Sequence, residues 1–258
     1  MIVNTHNDWD PLEEIIVGHA HHSRVTLDRS SHSFSYANYE WADIQHMEGK
    51  YPQWVIDEAN EDADGLADTL TKLGVRVHRP KIIDWEQEFS TPDWKSKGWY
   101  SWCPRDLVLP LGNMLIETPS PTRARYFETL YSYAHFDSTI IPLRPGLVLL
   151  NSSRVNTDNC PELFKKWDKI WFEDCVVQGS KLDGYIAPCS PYIGMNILSV
   201  DPNTVICDSA QEPLMRELEK HKIDCVPVRF RHAMTLSGGI HCATLDLHRR
   251  GTLENYYD

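Results

Sequence analysis

The chain has 258 residues, 41% of them hydrophobic and 24% charged, enough for one large domain or two small ones around a substantial core. A net charge of −12 argues against a nucleic-acid binder, which needs clustered Lys and Arg to neutralise phosphates. No stretch approaches the roughly 20 apolar residues of a membrane helix, and the N-terminus MIVNTHNDWDPLEEIIVGHA lacks the basic and apolar regions of a signal peptide. Seven scattered cysteines without a Cys-x-x-Cys pair fit a reducing cytoplasm better than a disulfide framework or a zinc site.

In chain order, EEIIVG reads as the first strand. His19, His21 and His22 follow it with no acidic or cysteine partner at ligand spacing, so a solvated loop is expected there rather than a metal site. A long insertion leads to a helix over 52–73, with Gly74 as its C-cap, and then to the strand VRVHRP. Next come RDLVLPL, the hairpin GN, MLIET and a helix over TRARYFETLYSY. The same order then recurs as STIIPL, the turn RPG, LVLLN, a helical CPELFKKW and DKIWFED. It recurs again as MNILSV, the turn DPN, TVICD, the helix QEPLMRELEKHKI and CVPVRF, with Leu214, Met215 and Leu218 on one helix face.

Four units of ββαβ character predict an α/β fold in one domain, 1–258. No single unit can bury its own apolar face, so a closed, propeller-like ring is favoured over a plain α/β sandwich. One unit is irregular. The helix ending at Tyr133 runs straight into AHFDSTI, and the closing strand of the other units is missing there.

Several polar groups stand at matching edges of the units. Pro104-Arg105-Asp106 opens one and His135-Phe136-Asp137 the next; Asn151-Ser152-Ser153-Arg154 closes a strand, and Cys189-Ser190 precedes MNILSV. Within SGGIHCATLDLHRRG (237–251), Cys242 follows a Gly-Gly-x-His turn at the mouth of an apolar strand, where backbone can come close to a thiol nucleophile. Each of these residues alone is more ordinary as a cap, a surface charge or a buried thiol. Gathered round a ring axis, they predict one pocket. Asp106 and Asp137 would accept from a cationic group, Arg154 would take a carboxylate, His135 would act as acid and base, and Cys242 as nucleophile.

At these blocks the chain resembles the amidinotransferases of the guanidino-group-modifying superfamily, whose fold is the pentein α/β-propeller. The likeness runs through NTHNDWDPLEEIIVG, CPRDLVLPLGNMLIETP, HFDSTIIPLRPGLVLLNSSR, CSPYIGMNIL and TLSGGIHCATLDLHRRGTLENY. STIIPLRPGLVL and CSPYIGMNIL are most similar to the aminocyclitol branch, whose acceptor is scyllo-inosamine 4-phosphate; the glycine amidinotransferase branch is more distant. The resemblance implies a ping-pong transfer from L-arginine to an amine, with no metal and no cofactor. Cys242 would attack the guanidinium carbon and His135 would move the protons. Asp106 and Asp137 would hold the guanidinium, and Arg154 with Ser190 would take the amino-acid carboxylate.

The family pattern also carries a module between the helix ending at Tyr133 and the histidine block. Its Phe-Asp-Ala-Ala motif supplies the aspartate that orients the histidine, and no such motif occurs in this chain. A deletion is therefore expected between Tyr133 and Ala134, in the same place as the missing strand. Two rivals to the transferase remain: a hydrolase of the arginine deiminase type, and an inactive remnant that binds arginine. The reading involves small-molecule substrates, no nucleic acid and no membrane, and leaves a homo-oligomer open.

Overall fold

The computed structural model describes residues 3–27, 40–90, 92, 95–117, 136–187 and 189–256. Eleven strands and two helices build the repeated units. They are β1 (Leu12–Val17), α1 (Gln53–Lys72), β2 (Arg76–His78), β3 (Val108–Leu111), β4 (Met114–Glu117), β5 (Ile140–Arg144), β6 (Leu147–Asn151), β7 (Asp168–Phe172), β8 (Leu198–Asp201), β9 (Thr204–Asp208), α2 (Glu212–Lys220), β10 (Asp224–Val228) and β11 (Thr244–Arg249). Two further short strand pairs, Arg24–Val25 with Gly49–Lys50 and Glu88–Ser90 with Lys95–Lys97, lie in the segment between β1 and β3, outside this repeat.

Two of the sheets repeat one pattern. In each, the middle strand runs antiparallel to the strand before it and parallel to the one reached through the crossover. β6 pairs so with β5 and β7, and β9 with β8 and β10. A parallel neighbour requires a crossover segment, which α2 supplies between β9 and β10. The N-terminal sheet follows the same rule with one difference of origin. β1 is parallel to β2 through α1, but its antiparallel partner is β11, from the other end of the chain. The first and last segments thus complete one unit.

α1 buries Val55, Ala59, Ala63, Leu66 and Leu70, a run spaced by three and four residues that faces the same core as Ile15 and Val17 of β1. Gly74 follows at φ +87°, the left-handed position at which a helix commonly stops. Asp62, on the buried side of α1, accepts from the Arg231 backbone at 2.7 Å and from the Arg229 side chain at 2.9 Å, tying the helix to the segment after β10. Leu214 and Leu218 of α2 are buried, with Met215 partly so, as the helical spacing requires.

Two expectations need correction. CPELFKKW forms only a short 3-10 turn, Glu162–Phe164, because Pro161 starts it and β7 begins four residues after it ends. His19 is buried, bridged through its backbone to Ser101, while His21 and His22 are solvated as expected. The sheets are separate, and no continuous closed sheet runs through the described residues. The fourth unit has two strands among those residues, the antiparallel hairpin β3–β4. The helix expected over TRARYFETLYSY and the junction between Tyr133 and Ala134 lie outside them. No helix among the described residues is long and apolar enough to cross a membrane.

Candidate active site

Each sheet presents a tight turn just ahead of its first strand. Pro104–Asp106 and Phe136–Ser138 are single 3-10 turns before β3 and β5, and Ile193–Met195 is another before β8. They put Asp106, Asp137 and Asn196 two or three residues ahead of their strands, and Cys242 stands two residues ahead of β11. Four sequentially distant segments thus offer one side chain each at equivalent places.

Cys242 is 4% exposed. Its backbone N–H donates to Asn196 Oδ1 at 3.0 Å and its thiol to Asp137 Oδ2 at 3.2 Å. The same Asp137 oxygen lies 2.8 Å from His241 Nδ1. The glycine pair permits this packing. A Cβ on Gly238 would lie 2.2 Å from Cys103 Sγ, and one on Gly239 would lie 2.6 Å from Asn196 Cβ. Any side chain at either position would push the turn that carries Cys242 away from Cys103 or Asn196. Arg105 braces the turn from below: its Nε donates to the carbonyls of His241 and Thr244 at 3.1 Å, and its Nη2 to Asp246 at 2.6 Å. Asp246 is fully buried and also accepts from Arg249, and the two guanidinium groups outweigh burial to hold its carboxyl below the usual range.

A second cluster adjoins the first through β5. Arg154 donates to Thr139 Oγ1 and to Ser190 Oγ, both at 2.8 Å, and its guanidinium lies 5.1 Å from the centre of the Tyr192 ring. Thr139 is two residues beyond Asp137, so the cation and the thiol are connected through one short turn. The arrangement places a fixed positive charge to one side of a carboxylate and a sulfur.

Of the expected residues, Cys242 and Asp137 are in contact, and Arg154 and Ser190 are in contact beside Thr139. Asp106 is exposed on its turn, and its charge is felt at the Cys242 thiol. His135 lies outside the described residues. Three contributors went unassigned by residue type and spacing: Asn196, Arg105 and His241. The signal for Asn196 was its position in the repeat, two residues ahead of β8 as Cys242 is ahead of β11.

No family model matches the chain. Among curated proteins it is 34% identical to inosamine-phosphate amidinotransferase 1 of Streptomyces glaucescens over 346 aligned positions, covering 99% of both chains. The chain belongs to the amidinotransferase family. Mitochondrial glycine amidinotransferase of Xenopus tropicalis is more distant, 26% identical over 99% of this chain and 85% of the relative. Among solved structures, inosamine-phosphate amidinotransferase from Streptomyces griseus superposes with a TM-score of 0.90 at 34% identity, covering 99% of each chain. The α/β fold is therefore that of the pentein-type amidinotransferases.

In this amidinotransferase the surroundings of Cys242 favour the thiol over the thiolate. The hydrogen bond with Cys103, burial and the carboxylates of Asp137 and Asp106 together push the Cys242 thiol well above its ordinary range. A cation placed against those carboxylates would reverse that balance.

Proposed function

We propose that the chain transfers the amidino group of L-arginine to an amine, an aminocyclitol phosphate being the acceptor class named in its inosamine-phosphate relatives. The observation that carries the reading is the Cys242 thiol 3.2 Å from the Asp137 carboxylate in the chain's glycine-lined turn. The guanidinium of arginine sits against Asp137 and Asp106, and its carboxylate on Arg154 and Ser190. Its positive charge offsets the carboxylates, so the thiol passes its proton to His135 as the substrate binds. The Cys242 sulfur then bonds to the guanidinium carbon. The C–N bond to the side-chain nitrogen breaks, and His135 delivers a proton to the departing ornithine. An amine next attacks the amidino carbon, the S–C bond breaks, and His135 takes the amine's proton. The bond changes balance without a metal or redox cofactor.

The same proposal includes a ring of units shortened by one, with the loss between Tyr133 and Ala134. The alignment with the Streptomyces glaucescens relative spans 346 positions, against 258 residues in this chain. The β3–β4 hairpin exposes Leu109, Leu111, Met114, Leu115 and Ile116, apolar surface of the kind a neighbouring sheet covers. A cavity of about 400 Å³ opens between β3 and β5, beside Asp137 and His241. The reading also places the protein in the cytoplasm, supported by seven cysteines that are all thiols.

Incubation with L-arginine and an aminocyclitol phosphate is expected to release ornithine and the amidinated amine in equal amounts. Citrulline in place of ornithine would assign the chain to the hydrolases. Arginine binding by calorimetry with no product would leave it a remnant.

A further inference from the structure

The residue beside the nucleophile has a part of its own. His241 is 14% exposed at its side chain and lies between two carboxylates, Asp137 Oδ2 at 2.8 Å from Nδ1 and Asp8 Oδ1 at 3.9 Å from Nε2. Asp137 Oδ2 is also the atom that accepts from the Cys242 thiol. One carboxylate oxygen therefore touches both the sulfur and the imidazole. The other charged groups facing this corner are Arg105 and Asp246, paired with each other below the turn, and Asp106 on the turn before β3.

We propose that His241, backed by Asp8, is a positioning residue for the nucleophile: as an imidazolium it holds the Asp137 carboxylate against the Cys242 thiol and counters its charge there. The inference rests on Cys242 being the nucleophile of the amidino transfer. Three facts of the site bear on it. Asp137 has two roles, toward the thiol and toward the substrate cation, and an imidazolium on its far side keeps it ionised and oriented in both. The thiol is surrounded by carboxylates that oppose thiolate formation, so a cation within one side chain of the sulfur lowers that cost. Burial and Arg105 oppose protonation of His241, but the hydrogen bond with Asp137 and the nearby Asp8 carboxylate outweigh them and raise its affinity for the proton.

The sign follows from linkage. A histidine held protonated by its fold stays charged through pH 6.5 and loses the charge only above it. Below that point the imidazolium favours the thiolate; above it the help is lost. Replacing His241 with Asn keeps a donor near the place of Nδ1 and removes the charge.

The test reads Cys242 itself, without turnover. Alkylation of Cys242 by iodoacetamide is followed against pH by peptide mass spectrometry, and the His241 ring is titrated by NMR in the unaltered protein. His241 is expected to titrate above 6.5. His241→Asn is expected to move the Cys242 alkylation midpoint upward by about one unit, some tenfold slower at any pH below it. Asp137→Asn is expected to move it downward and to lower the His241 titration. A His241 that titrates at or below 6.5 in the unaltered protein overturns the proposal, whether or not the variant folds. So does a folded His241→Asn with the alkylation profile unmoved. If no ornithine is released from arginine but these shifts are found, the transfer reading falls and the positioning role stands.

Discussion

Cys242→Ala is expected to lower amidino transfer by roughly 10⁴-fold or more, the scale on which an enzyme loses a covalent nucleophile. The loss should appear in ornithine release, with arginine still bound, because Asp137, Arg154 and Ser190 stay in place. Cys103→Ala is the informative companion. Its sulfur packs against Gly238 and hydrogen-bonds the Cys242 thiol, so removing it leaves the nucleophile intact and lowers the cost of the thiolate. Transfer by Cys103→Ala should persist. If Cys242→Ala retained transfer and Cys103→Ala abolished it, the two sulfurs would have to exchange roles.

The second large effect follows from the proposal of a ring shortened by one unit. On that proposal, the aspartate that orients the acid–base histidine in the family pattern belongs to a module lost between Tyr133 and Ala134. Asp137 is already engaged with the Cys242 thiol and His241, so serving His135 as well would draw it from the guanidinium. The chain as written is therefore expected to transfer at least ~10²-fold more slowly than the same chain with the family's module inserted after Tyr133, the lower bound for losing acid–base help. The inserted module should also cover the exposed apolar side chains of the β3–β4 hairpin and reduce association through them. Equal rates from two well-folded monomers would mean that another carboxylate serves the histidine.

Much of the architecture was legible because each unit carries its own period and turn. The short apolar runs of STIIPL, LVLLN and TVICD, and the turns Arg144–Leu147 and Asp201–Thr204 between paired strands, specify antiparallel partners locally. The helix at 52–73 was legible for the same reason, its apolar residues spaced by three and four. The pairing of β11 with β1 joins residues more than 225 positions apart, and no local pattern encodes that. CPELFKKW was misread because helical composition in so short a stretch between Pro161 and β7 yields only one 3-10 turn.

The site was partly legible by analogy between units. Asp137 and Cys242 stand ahead of their strands in step, and Asn196 shares that place but was passed over because an amide suggests no chemistry by itself. His241 was hidden by a different physical fact. Adjacent residues on a strand point to opposite faces, which would separate His241 from Cys242. They lie instead in a turn closed by hydrogen bonds from Ala243 to Gly239 and from Thr244 to His241, so both reach the same carboxylate. Arg105 was read only as part of an opening motif. Its contacts to His241, Thr244 and Asp246 cross some 140 positions of sequence and depend on the fold being formed.

The central claim is that Cys242 carries the amidino group. Incubation of the protein with L-arginine and no acceptor, followed by acid quench and peptide mass spectrometry, tests it directly. An amidino adduct on Cys242, absent from Cys242→Ala, is the result this account predicts. An adduct on Cys103 or Cys189 that persists in Cys242→Ala would contradict it.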